Sequence, residues 1–135
     1  MTMESTHISV RIARSSADVY AYASQPRNLP AWAAGLSKSV HEADGHWVSD
    51  APMGRVTVAF APANAFGVLD HDVTLPNGET VYNPVRVIPD GDHSEVIFTL
   101  RRRDGTSAEA SRRDAEAVAA DLERLKALLE GQGTR

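Results

Sequence analysis

Between Thr106 and Glu130 the apolar residues Ala115, Val118, Ala119, Leu122, Leu125 and Leu129 recur at steps of three and four. That period places them on one face of a single long helix. Thr106 and Glu109 have capping-box spacing at its start, and Gly131 can stop it. A helix of about seven turns is not stable alone in water, so this face must lie against another element. The half of the stripe nearest the C-terminus is large. The other half (Ala108, Ser111, Ala115 and Ala119) is small, which predicts either close packing or a cavity beneath the first turns.

Upstream, the period changes to two. Ile8, Val10 and Ile12 alternate with Ser9 and Arg11 in a half-buried strand. Ser15 or Ser16 then caps a short helix reaching about Ser24, with Asp18 in its first turn and Val19, Tyr22 and Ala23 as its buried stripe. Asn28 to Gly35 reads as a second short helix carrying Trp32. Six strand-like runs follow: Ser37–Glu42, His46–Asp50, Arg55–Phe60, Gly67–Leu75, Glu79–Ile88 and His93–Arg101. Ala43-Asp44-Gly45, Pro52-Met53-Gly54, Pro76-Asn77-Gly78 and Pro89-Asp90-Gly91-Asp92 supply turns between them. Pro84 marks an edge or a bulge in its strand. Gln132 to Arg135 reads as a frayed tail. The predicted class is α+β, with a curved seven-stranded antiparallel sheet wrapped around the C-terminal helix and two short helices after the first strand.

Length makes residues 1–135 one domain, large enough for a real core. The net charge of −4 argues against nucleic acid. Arg101, Arg102 and Arg103 form the one basic cluster and read as a solvated strand end rather than a phosphate site. The absence of cysteine excludes disulfides and thiolate chemistry. No apolar run is long enough to insert in a membrane, and the polar N-terminus has no signal core, so a cytoplasmic location is expected. The five histidines lack metal-ligand spacing, and no nucleotide-binding glycine pattern occurs. No metal and no cofactor are expected.

The element order, the Asn28-to-Trp32 segment, the Phe66-Gly67-Val68-Leu69-Asp70-His71 run and the closing Asp121-Leu122-Glu123-Arg124-Leu125-Lys126 resemble the SRPBCC superfamily. That group is also called START-like or birch-pollen-allergen-like, and the chain is most similar to its bacterial polyketide cyclase/dehydrase-type branch. The resemblance implies a helix-grip fold enclosing an apolar cavity. It does not imply one reaction, because members include aromatase/cyclases, lipid and hormone carriers and chaperone activators.

Candidate chemistry centres on His71. In a strand His71 faces away from Asp70 and Asp72, toward the face of Leu69, Val73 and Leu75. There it either is satisfied by a neighbouring group or meets a ligand as an acid or base near neutral pH. Asn83, on the face of Val81 and Val85, looks inward near His71, while Tyr82 and Arg86 look outward. Trp32, Phe60, Phe66 and Phe98 are either core or walls for a flat ligand. Trp47 is expected at the surface or a dimer contact. Ser111 and Ala115 are placed at the small half of the helix. The leading expectation is binding of a hydrophobic small molecule, polyketide-, lipid- or aromatic-like, by Trp32, Phe60, Phe66, His71, Asn83, Phe98, Ser111 and Ala115. The alternatives are a cyclase/dehydrase-type enzyme with His71 as catalytic acid/base, and an interaction module whose cavity has closed. A sheet edge leaves a homodimer open.

Overall fold

The structure is a computed structural model that describes residues 4–34, 40–51 and 54–132. Gly35 as a helix stop, the first residues of the Ser37–Glu42 strand, the Pro52-Met53 turn and the tail beyond Gln132 lie outside the described residues. Strand β1 (Ser5–Ile12) leads into α1 (Ser16–Ala23), a 3₁₀ turn (Pro26–Asn28) and the short α2 (Leu29–Trp32). Then come β2 (Val40–Ala43), β3 (His46–Ala51), β4 (Gly54–Phe60), β5 (His71–Thr74), β6 (Thr80–Asn83), β7 (Val85–Asp90) and β8 (His93–Arg101). Helix α3 (Ala108–Gln132) closes the fold. The α+β helix-grip architecture expected from the sequence is what the structure has.

The local chemistry accounts for the element ends. Ser15 caps α1 by accepting from the Asp18 N–H at 3.2 Å. Asp44 and Gly45, both at positive φ (55° and 79°), make the two-residue turn that pairs Ala43 with His46. The cap of α3 falls one residue later than the spacing predicted. Ser107, not Thr106, accepts from the amide three residues on, Ala110, at 3.0 Å, and the Thr106 carbonyl instead accepts from Arg102. The helix also runs through Gly131 to Gln132, because its last turns are tied to β1. The Arg14 guanidinium donates to the Leu129 carbonyl at 2.7 Å. Lys126 donates to the Arg11 carbonyl at 2.6 Å, and the Ala13 N–H donates to the Glu130 carboxylate at 2.9 Å.

Every strand pairing is antiparallel, in two ladders: β1-β8-β7 and β2-β3-β4-β5-β6. Among the described residues there are eight strands rather than seven. The predicted Glu79–Ile88 strand is divided at Pro84, which has no N–H to give to a ladder. On one side of the break β6 pairs with β5, and on the other β7 pairs with β8. One chain segment therefore passes from one ladder to the other, and this is where the sheet turns its corner. The predicted Gly67–Leu75 strand is likewise shortened to His71–Thr74, leaving Val68 in a single bridge to Arg86. Gly67 sits at φ 73°, and a Cβ there would collide with the Val87 carbonyl oxygen. The backbone approaches that closely because the Val87 N–H donates to the Gly67 carbonyl at 2.8 Å.

The core lies between α3, α1 and the β1-β8-β7 ladder. Leu122, Leu125 and Leu129 are buried with Val10, Ile12, Val19, Val87 and Val96. Trp32 joins this core at 8% exposure.

Candidate functional site

The two ladders diverge beyond Pro84, and the N-terminal half of α3 lies over the gap. The result is a cleft-like cavity of about 430 Å³, open to solvent. The β5–β6 hairpin contributes Val73, Leu75, Val81 and Asn83 to it, and the end of β8 contributes Phe98 and Leu100. Helix α3 contributes Ser111, Asp114, Ala117, Val118 and Asp121, which follow helical spacing along one stripe. Arg101, Arg102, Arg103 and Thr106 form the rim where β8 hands over to the helix.

The polar groups differ in how they are held. The Asn83 amide donates to the Val81 carbonyl at 3.4 Å, a long bond. Arg102 is engaged twice, by Glu4 at 3.1 Å and by the Thr106 carbonyl at 2.9 Å. Arg103 pairs with Glu79 on the β5–β6 hairpin at 3.0 Å, so this ion pair spans from one ladder to the other. Asp121 accepts from the Ala34 N–H at 3.1 Å and pairs with Arg124. Burial raises its pKa above the usual carboxylate value, and the Ala34 N–H and Arg124 counter that rise.

His71 lies on the inner face, as the alternation predicts, with Asn83 as its direct cross-strand partner. Its ring meets Phe60 edge-on at 5.1 Å and Phe98 edge-on at 6.4 Å. Nδ1 bonds to the Leu69 carbonyl at 3.1 Å. Burial pushes the imidazole below its ordinary pKa, against the smaller opposing effect of the Leu69 carbonyl. Phe98 lines the 430 Å³ cavity but His71 does not, so the histidine is one ring removed from it. Asp70, on the opposite face, accepts from Tyr82, the Val85 N–H and Arg86. Tyr82 and Arg86 are outward and exposed, as expected.

Of the eight residues singled out in the sequence, the cavity gathers Asn83, Phe98 and Ser111. Phe60 packs partly buried beside His71, and Trp32 is a core residue whose carbonyl accepts from Arg124 at 3.2 Å. Phe66 departs from the expectation. It is 83% exposed and neither core nor cavity wall, because the Asn64 side chain turns the loop outward by accepting from the Phe66 and Val68 amides. Ala115 also departs from it. Ala115 lines a separate crevice with Glu4, Thr6 and Arg112, since the leucine stripe fixes that face of α3 on β1. Trp47 is half-buried and pairs with buried Val58, so it shares an inward face.

Asp114, Asp121, Arg101 and the hairpin valines were not foreseen as site residues. The signal available was the second stripe on α3, Ser111-Asp114-Val118-Asp121, which a search following leucines passes over.

A model of the family described as polyketide cyclase / dehydrase and lipid transport matches residues 3–130. The chain belongs to this family. It is thereby a member of the SRPBCC superfamily, in keeping with the resemblance of its sequence. No curated protein matches the chain. Among solved structures, XoxI from Bacillus cereus is similar with a TM-score of 0.76 at 15% identity, covering 98% of this chain and 100% of that one. The Zhui aromatase/cyclase from Streptomyces sp. R1128 gives a TM-score of 0.68 at 15% identity, covering 96% and 94%. Mll3558 from Rhizobium loti gives 0.65 at 18%, covering 93% and 96%. At these identities the structural likeness establishes the fold of this polyketide cyclase/dehydrase and lipid transport family member. Among the described residues no helix is long and apolar enough to cross a membrane.

Proposed function

We propose that this protein binds a hydrophobic small molecule in the cavity between the β5–β6 hairpin, the end of β8 and α3. The observation that carries the reading is the cavity itself. Its volume of about 430 Å³ lies in the range of small-molecule sites, and it joins an apolar wall of seven residues to a polar one of three neutral and five charged residues. Val73, Leu75, Val81, Phe98, Leu100 and Val118 would remove the ligand's apolar surface from water. Asn83, Thr106 and Ser111 would orient it through a carbonyl or hydroxyl. A cavity of this size weighs against an interaction module with a closed interior.

The test is titration with the neutral apolar fluorophore N-phenyl-1-naphthylamine. Saturable binding is expected, and Val118→Trp, which fills the cavity from α3, is expected to abolish it while the far-ultraviolet spectrum stays native. If Val118→Trp lowers the melting temperature, Ala117→Trp makes the same test from an exposed position. Unchanged probe affinity in a folded Trp variant overturns the reading.

A second reading is a cyclase/dehydrase-type reaction on a poly-β-ketone. The pairing of His71 with Asn83 favours it, as does the family's description. A neutral imidazole would take the proton α to a carbonyl, and the Asn83 amide would donate to that carbonyl's oxygen. Phe98 would have to yield for His71 to reach a ligand, which ranks this second. Loss of turnover in His71→Ala with ligand affinity retained would support it; turnover unaffected by that substitution would remove it.

A further inference from the structure

We infer that the ligand of this cavity is a monoanionic amphiphile, with an apolar body between the hairpin and α3 and a single carboxylate held at the rim by Arg101. The inference rests on the proposed binding function and adds the headgroup. Its basis is the unequal state of the three rim arginines. Arg102 is held by Glu4 and the Thr106 carbonyl, and Arg103 by Glu79. Arg101 lines the same cavity, is exposed, and among the described residues has neither an ion pair nor a side-chain hydrogen bond. A guanidinium presents planar paired donors that match a carboxylate in two parallel hydrogen bonds. Set at the mouth of an apolar cleft, it can take a head while the cleft takes a tail.

The surroundings fix the sign and the number of charges. The rim is also where α3 begins, and the positive end of the helix dipole adds to Arg101 there. Thr106 supplies a hydroxyl at the same place. Further along the helix wall the cavity meets Asp114 and Asp121. Asp121 is paired with Arg124 and the Ala34 amide, whereas Asp114 has no partner among the described residues. These carboxylates would repel a second negative charge further along the ligand, so one acidic head is favoured over two. Asp114 is itself a candidate anchor for a cationic head. It is disfavoured because a lone carboxylate beyond the first helical turn lacks both the paired donor geometry and the dipole's support.

The experiment displaces N-phenyl-1-naphthylamine from the wild-type chain at neutral pH with decanoate, decan-1-ol, decylamine and decanedioate. 2-Naphthoate and 2-naphthalenemethanol are run alongside, to separate aliphatic from aromatic bodies. Decanoate is expected to displace the probe at about a tenfold lower concentration than the alcohol, the size of effect usual for a hydrogen bond to a charged group. The amine and the diacid are expected to be weaker than decanoate. Arg101→Gln should erase the advantage of acid over alcohol, and Arg101→Lys should keep part of it. Equal displacement by acid and alcohol, stronger displacement by the amine, or an acid preference that survives Arg101→Gln overturns the inference. In each of those cases the probe itself still binds, so the binding function stands. A wild-type chain that does not bind the probe overturns both.

Discussion

Asp70 carries four donors on one carboxylate: the Tyr82 hydroxyl, the Val85 N–H at 2.9 Å, and Arg86 through Nε at 3.1 Å and Nη2 at 2.9 Å. It stands where Pro84 interrupts the strand, so it ties β6 and β7 together at the point where no ladder can. Arg86 above all, with Tyr82 and the Val85 amide, holds the Asp70 pKa down to about 2 against the opposing effect of burial. Because the folded value lies below the unfolded one, the stabilisation is complete above the unfolded pKa of about 3.9 and is lost as pH falls through about 2. A depression of that size corresponds to about 2 kcal/mol. Asp70→Asn is therefore expected to lower unfolding free energy at pH 7 by about that amount. It should also flatten the pH dependence of stability between about 4 and 2, as read by urea denaturation at a series of pH values. A variant whose acid profile follows the wild type would show that Asp70 does not hold the corner.

At the scale of elements, α3 is held by two kinds of interaction of unequal strength. Its leucine stripe is fully enclosed, with Leu125 at 0% exposure, and removal of such a side chain costs the transfer of its surface plus a cavity. Its cap is a single hydroxyl on an exposed first turn. Leu125→Ala is expected to destabilise by about 2–5 kcal/mol, and Ser107→Ala by about 1 kcal/mol. Thr106→Ala is expected to cost less than Ser107→Ala, since its side chain does not cap. The three midpoints in urea give the order directly, and a larger loss for Thr106 would move the cap back to the residue its spacing suggested. The β5–β6 hairpin depends on Asn77-Gly78, with the Leu75 N–H donating to the Glu79 carbonyl at 2.8 Å. It reaches toward the end of β8 through the Glu79–Arg103 pair, and so forms one wall of the cavity.

In the whole molecule, α3 presents two different stripes to two different surroundings. One packs on β1 and includes Ala115; the other, turned by about one residue, faces the cavity and includes Val118. Ala115→Leu is therefore expected to leave N-phenyl-1-naphthylamine affinity unchanged, in contrast to the loss expected for Val118→Trp. Fluorescence titration of both variants distinguishes the stripes, and reduced binding in Ala115→Leu would place the ligand on the β1 side. The cavity exists because the sheet corner at Pro84 separates β6 from β8 while α3 continues straight past both.

Period and turn chemistry determined the type and order of most elements, while the division of Glu79–Ile88 at Pro84 and the pairing of β1 with β8 were decided by the tertiary structure. Alternation in Ile8-Val10-Ile12 and Val96-Phe98-Leu100, the Asp44-Gly45 and Asn77-Gly78 turns and the three-and-four spacing of the helix are local properties, and each survives in the folded chain. The inward direction of His71 and Asn83 was legible for the same reason, since neighbouring strand residues point to opposite faces. Which stripe of α3 meets the cavity was decided only by packing. Leu122, Leu125 and Leu129 had to be buried on β1, and that rotation carried Ala115 away and brought Asp114 and Asp121 in. Phe66 has the composition of a cavity wall, yet the Asn64 loop turns it outward. The state of Arg101 was likewise beyond any local pattern. Whether one arginine of three is left unpaired depends on where Glu4, Glu79 and the Thr106 carbonyl come to lie, and those groups are distant in sequence and brought together only by the fold.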